Sequence, residues 1–327
     1  MRRYATAAFV FVLCSGILSA AAVGQAGEAK ASDGQQSPDL ELLEAGSSPR
    51  RELRLQLQKG DEQTIVMTSM VDAQQTVGQQ QLPKSVFPGT KHTLHTTVES
   101  VSEDGEITCA FEIVDAEVVE REGARQVRMR RMKQGVGKLV GLGGQVQLND
   151  RGVVQQVTTS SPDKTDPDVR GAINMLEQAM RKQFIVAMPE SPVGVGAKWR
   201  ITSTTSHQGI EITQNITYTI DKITDDNIDL QVSITRKADR QQIESIGNSS
   251  IVLERMNASG SGNVVVHLAQ VITPNGDVTL NRESVIVKRS DNQQRRITRT
   301  RTLRMKIEPA EKAHQKQSSD SDSGSDN

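Results

Sequence analysis

The sequence predicts an α+β protein, mainly antiparallel β, with two similar β-meander halves and one long amphipathic helix between them. Three observations carry this. Short runs of alternating apolar and polar residues recur, separated by turns rich in Gly, Asp and Asn. One stretch, Thr165–Trp199, holds helical periodicity followed by Pro and Gly and the single tryptophan. HTTVESVSEDGEITCAFEI from His95 and NITYTIDKITDDNIDLQVSI from Asn215 both read as strand, acidic turn, strand, the mark of an internal repeat.

Residues 1–24 read as a signal peptide. Arg2 and Arg3 precede an apolar run, Ala5–Val23, and small residues follow at spacings that suit cleavage. Leu13 before Cys14 argues against a lipid anchor, where a small residue is wanted. Residues 25–51, rich in Ala, Gly, Ser, Gln and acids, read as a disordered leader, with a short helical turn at Leu40–Leu43.

The first β-rich half spans 52–164. Leu53, Leu55 and Leu57 alternate with polar residues as in a half-buried strand, and Lys59-Gly60-Asp61 turns the chain. A strand at Ile65–Val71 and a polar connection at Gln74–Pro88 follow. Strands around Thr90–Val101 and Glu106–Val119 enclose an Asp-Gly turn, a strong hairpin signal. Arg125, Arg128, Arg130, Arg131 and Lys133 are assigned to a basic strand, and Gly143-Gly144 leads to a hairpin turning at Asn149–Gly152.

Residues 165–192 form the helix and hinge. Asp166 suits the N-cap and Pro167 the first helical position. Val169, Ala172, Ile173, Leu176, Ala179, Met180, Phe184 and Ala187 recur at three- and four-residue steps, one face of a helix that Pro189 and Pro192 end. The helix packs on a sheet or serves as a lid over an apolar groove. The second half spans 193–307. Gly196 and Pro192 shape the exit from the helix, and Trp199 anchors a core with Phe184 and Leu176. Strands at Glu211–Ile223 and Ile228–Thr235 flank an acidic turn, and Gly260–Gly262 precede a hairpin turning at Pro274–Asp277. Residues 308–327 read as a disordered acidic tail.

Composition limits the function. The formal net charge is −1 and aromatic residues are 2%, which leaves neither a global basic field nor stacking residues for nucleic acid. Removal of the signal leaves Cys109 alone, so no intrachain disulfide forms, and its apolar neighbours Ile107, Phe111 and Ile113 mark it as a buried thiol. His92 and His95 fall on opposite strand faces, unsuited to a shared metal. No phosphate loop, nucleophile elbow or zinc-type cluster occurs, so no catalytic residue, metal or cofactor is assigned. The basic run Arg295–Lys306 puts Arg299 and Arg301 on the face that continues into Leu303, Met305 and Ile307, and Thr298, Thr300 and Thr302 on the other. The two arginines either snorkel at a sheet rim or line an anion-binding concavity.

Pro189, Pro192-Val193, Val195-Gly196 and Trp199, with Lys59-Gly60-Asp61 ending the first strand, resemble the Pro-Val-x-Val-Gly-x-x-Trp pattern of an uncharacterised family of secreted bacterial proteins and lipoproteins. The resemblance covers Glu52 to Ile307. Ala197 replaces the acidic residue usual after that glycine, so any role of that carboxylate is missing. The family implies no activity and supplies no site residues.

The expected function is a periplasmic or extracellular noncatalytic binding or scaffold protein. Its partner is an apolar or anionic small ligand or another envelope component, with no stable transmembrane span in the mature chain. A structural cell-envelope component is the alternative, and behind it an enzyme with an unrecognised site.

Overall fold

A computed structural model describes residues 39–160, 167–182, 184–207, 210–246, 249–290 and 293–310. The signal segment, Asp166 and the tail beyond 310 lie outside the described residues. In chain order the strands are β1 (Asp39–Glu44), β2 (Glu62–Val77), β3 (Gln80–Gln81), β4 (Ser85–Val86), β5 (Gly89–Val101) and β6 (Glu106–Val119). Helix α1 (Gln126–Val136) and a 3-10 turn (Gly137–Leu139) follow, then β7 (Gly143–Asn149), β8 (Val154–Ser160) and α2 (Pro167–Lys182). The rest is strand: β9 (Lys198–His207), β10 (Ile210–Ile223), β11 (Asn227–Ala238), β12 (Gln241–Ile246), β13 (Ser249–His267), β14 (Asn275–Ser290) and β15 (Gln293–Pro309).

These described strands join into one antiparallel sheet, ordered β1-β9-β10-β11-β13-β14-β15-β2-β5-β6-β7-β8, with β12 on β13 and β3 and β4 on β2. The early and late parts of the chain meet where β15 pairs with β2, Ile307 opposite Met67. Residues from both parts form one core on the same sheet face, including Met67, Leu94, Ile113, Val146, Ile220, Leu230 and Val264. A face shared by so many strands must curve round that core, because a flat sheet leaves its ends in water.

Two hairpins share a detailed pattern. In β5–β6 the register shifts between Val98 and Ser100, and in β10–β11 between Ile220 and Lys222. The displaced residue is acidic in both, Glu99 and Asp221. Gly60 donates its N–H to the Val98 carbonyl and Val98 donates to Asp61. Gly196 donates to Ile220 and Ile220 to Ala197 in the same way. Ser102 Oγ and Thr224 Oγ1 each accept a turn N–H, from Glu106 and Asn227, at 3.0 Å.

Several sequence expectations need correction. The helix of 165–192 is short: α2 spans 16 residues and stops at Lys182, well before Pro189. Tertiary contacts capture the next residues. The Met188 N–H donates to the Arg151 carbonyl, and Phe184 accepts from the Thr273 N–H. Phe184 and Ala187, assigned to the helix face, are buried beyond its end. The leader is ordered from Asp39, because β1 pairs with β9, Leu42 opposite Trp199, and packs Leu40 and Leu42 on the core. No helical turn forms there. The segment 52–58 keeps its alternation, with Leu53, Leu55 and Leu57 buried, yet lies outside the ladder. Its backbone reaches two loops instead, Leu55 N–H to Asp150 and Gln56 N–H to Leu268. The 74–88 connection is largely β2, β3 and β4. The basic stretch 125–133 is helix α1, whose Met129, Met132 and Val136 recur at helical spacing and are buried. Gly260 and Gly262 lie inside β13, and the turn at 274–277 opens β14.

Candidate anion-binding site

The core face of the sheet is apolar along most of each strand, then changes character. On β11 the inward positions are Ile228, Leu230, Val232, Ile234 and then Arg236. On β14 Leu280 is followed two residues on by Arg282. On β15 Leu303 is followed in the other direction by Arg301 and Arg299. Register puts these changes side by side. Gln214, Arg236, Ala258, Arg282, Arg301 and Ala73 form one row across six strands. Ser284, Arg299 and Gln75 occupy the next row. The row before it is Ile234, Gly260, Leu280, Leu303 and Val71. Past the arginines a second apolar cluster holds Ile210, Ile212, Ala238, Leu253, Met256 and Ile286. Four guanidiniums thus sit in a polar belt between two apolar clusters.

Each of the four arginines is half-buried. Arg236 Nε donates to Gln214 Oε1, and the methyl of Ala258 leaves space between Arg236 and Arg282. Burial, reinforced by Arg301, Arg236 and Arg299, pulls the Arg282 pKa down to about 9. Burial and Arg299 bring Arg301 to about 10, and burial lowers Arg299. Arg282 and Arg301 stay cationic at neutral pH, and each feels other guanidiniums of the belt as like charges across a partly desolvated face. A planar guanidinium donates two parallel hydrogen bonds to a carboxylate, phosphate or sulfate, and several together form a cradle for such a group.

The structure therefore brings Arg299 and Arg301 together with Arg236 and Arg282, which the sequence reading did not single out. The available signal was parity: each stands at an apolar position of its strand. The other basic stretch does not join them, since Arg125–Lys133 belong to α1. An open groove of about 730 Å³ borders the belt at Arg236 and Ala258 but is lined mostly from the opposite face, by Glu211, Thr213, Thr235, Lys237 and Asn257. Its mixed charges do not select an anion.

The residues assigned to structure behave differently from one another. Trp199 is 0% exposed, donates Nε1–H to the Ala187 carbonyl at 2.9 Å, and stacks on Tyr218 at 5.3 Å. Phe184 and Leu176 are in the same core. Gly196 has φ 81°, which a side chain disfavours. Pro192 is exposed and sets the path of the hinge rather than filling the core. His92 is buried, whereas His95 Nδ1 meets Thr64 Oγ1 at 2.9 Å. Cys109 is buried, and burial followed by Glu99 pushes its thiol up to about 12.

The stretch from within α2 to just past the end of β13 takes in the hinge, Trp199 and β9–β12. Residues 173–270 match the family of unknown function DUF6263. This agrees with the resemblance to an uncharacterised family. The DUF6263 match takes in Trp199, Gln214 and Arg236, while Arg282, Arg299 and Arg301 lie beyond it. No curated protein matches the chain. Two solved structures align weakly. Salmonella typhi OmpF in complex with daunomycin shares 6% identity over 74% of this chain and 97% of that one, with a TM-score of 0.21. Pseudomonas aeruginosa OpdQ shares 6% over 76% and 98%, with a TM-score of 0.17. Among the described residues no helix is long and apolar enough to cross a membrane, which says nothing of a β-barrel.

Proposed function

We propose that this is an exported, noncatalytic binding protein that holds an anionic ligand on the arginine belt of its sheet. The observation that carries the reading is the placement of Arg282 directly opposite Arg301 on the core-bearing face, with Arg236 and Arg299 beside them. Guanidiniums gathered in register on one face can share an anionic group through parallel hydrogen bonds, which supports a binding role. The Ala5–Val23 run supports export to the periplasm or outside the cell.

The reading includes two related β-meander halves with helix α2 between them. The matching register shifts at Glu99 and Asp221, and the matching Gly60–Val98 and Gly196–Ile220 hydrogen bonds, support it. In such a duplication the arginine belt belongs to the later half and its junction with β2, so the halves differ in use.

The test is native mass spectrometry of protein purified from its own host, followed by titration with phosphate, sulfate and a short carboxylate. A bound anionic species, or saturable anion binding that Arg299→Gln/Arg301→Gln abolishes, is expected. No bound species and no saturable binding would reject the reading.

A further inference from the structure

We propose that the outward face of helix α1 docks on an anionic lipid bilayer. The helix packs Met129, Met132, Gly135 and Val136 against the protein and turns Val127, Arg130 and Arg131 outward. Val127 is 55% exposed, and Arg130 and Arg131 stand one turn further along on its side. Arg125 and Lys133 are exposed nearby, and Arg128 lies over the Phe87 ring at 4.4 Å.

The basic surface continues past Phe87. Arg121 donates to the Phe87 carbonyl and to Asp72, and Asp72 also takes Lys84 and Arg304 at 3.2 Å each. One buried carboxylate thus gathers three cations. Among the described residues Glu120 meets Lys133 at 3.5 Å, and Glu122 lies two positions further along the chain. From Ala124 to Asn149 the chain contains no acidic residue.

This charge pattern works against the helix itself. The N-cap Arg125 supplies no side-chain cap, and the first turn has no acid. Arg125 and Arg128 instead put positive charge at the positive end of the dipole, where it is unfavourable. Helix stability therefore does not explain the arginines, whereas charge complementarity with an anionic surface does. The exposed Val127 amid them favours a lipid surface over a nucleic acid. An apolar side chain gains by entering the headgroup boundary, and the chain has few aromatics to stack on bases.

The experiment is co-flotation of the full chain with phosphatidylcholine vesicles, with and without phosphatidylglycerol, at rising salt. Binding is expected only with phosphatidylglycerol, and salt should weaken it. Each charge removed should weaken it about fivefold, so Arg130→Gln/Arg131→Gln should lose about 25-fold. Arg130→Lys/Arg131→Lys should retain it, and Val127→Ser should weaken it without changing the salt response. Equal thermal unfolding of the variants separates loss of docking from loss of fold. Equal binding to neutral vesicles, full binding by the Gln pair, or tighter binding to heparin or duplex DNA with no effect of Val127→Ser would overturn the proposal.

Discussion

Arg282 on β14 and Arg301 on β15 are directly opposed across the sheet, both on the face that carries the core. Their mutual repulsion and partial desolvation oppose folding. Replacing Arg301 with Leu should therefore leave stability unchanged or raise it by up to about 1 kcal/mol, while anion binding falls. Paired measurements of urea unfolding and sulfate binding test this, with opposite signs expected for the two readouts.

Trp199 seals the junction between the hinge and β9. Its indole is fully buried, stacked on Tyr218 and hydrogen-bonded to Ala187. Trp199→Ala should cost about 3–5 kcal/mol through the cavity it leaves. Trp199→Phe keeps most of the packing but strands the Ala187 carbonyl, for about 1–3 kcal/mol. Urea unfolding followed by circular dichroism measures both.

Gly144 and Gly262 face neighbouring backbones at the same place in the two hairpin units, opposite Phe111 and Val232. A Cβ would come within 1.9 Å of the Thr158 carbonyl oxygen at Gly144, and 2.0 Å of the Asp277 oxygen at Gly262. Either Ala substitution should destabilise by about 1–3 kcal/mol. Gly171, in α2 with nothing near its would-be Cβ, should behave oppositely: Gly171→Ala should gain up to about 1 kcal/mol. Thermal unfolding of the three variants checks the contrast.

His92 is 3% exposed, and burial lowers its pKa from 6.5 to about 4. Between those values the unfolded chain takes up a proton that the native protein refuses. The contribution of His92 to stability is therefore full above pH 6.5 and falls as the pH drops toward 4. His92→Gln should flatten this part of the stability–pH profile, whatever its effect at neutral pH. Urea midpoints at a series of pH values test this.

Asp72 acts at lower pH. Burial alone raises its pKa, but hydrogen bonds from Arg121, Lys84 and Arg304 outweigh that and leave it below 3.8. Its charged form then stabilises the fold above 3.8, and that contribution disappears as pH falls through the lowered native value. Asp72→Asn should be destabilised at neutral pH and lose less than the parent on acidification. An unchanged acid limb would show that the three cations do not stabilise the carboxylate.

Local pattern determined much of this protein. Period-two alternation identified the hairpins around Asp104-Gly105 and Asp225-Asp226, and the inward face of Arg299 and Arg301, because side-chain parity is a property of one strand. The bulk of Trp199 and the spacing of Ala172, Leu176, Ala179 and Met180 marked buried positions for the same reason. What parity does not specify is the neighbour. The pairing of β15 with β2 joins residues from opposite ends of the chain, and the registers of β11 on β13, β13 on β14 and β14 on β15 assemble four arginines into one belt. Tertiary contacts likewise chose a strand for Asp39–Glu44, a helix for Gln126–Val136 and an early end for α2. In each case the energy of docking on a shared core exceeded the small local preference, so the choice belonged to the assembled sheet.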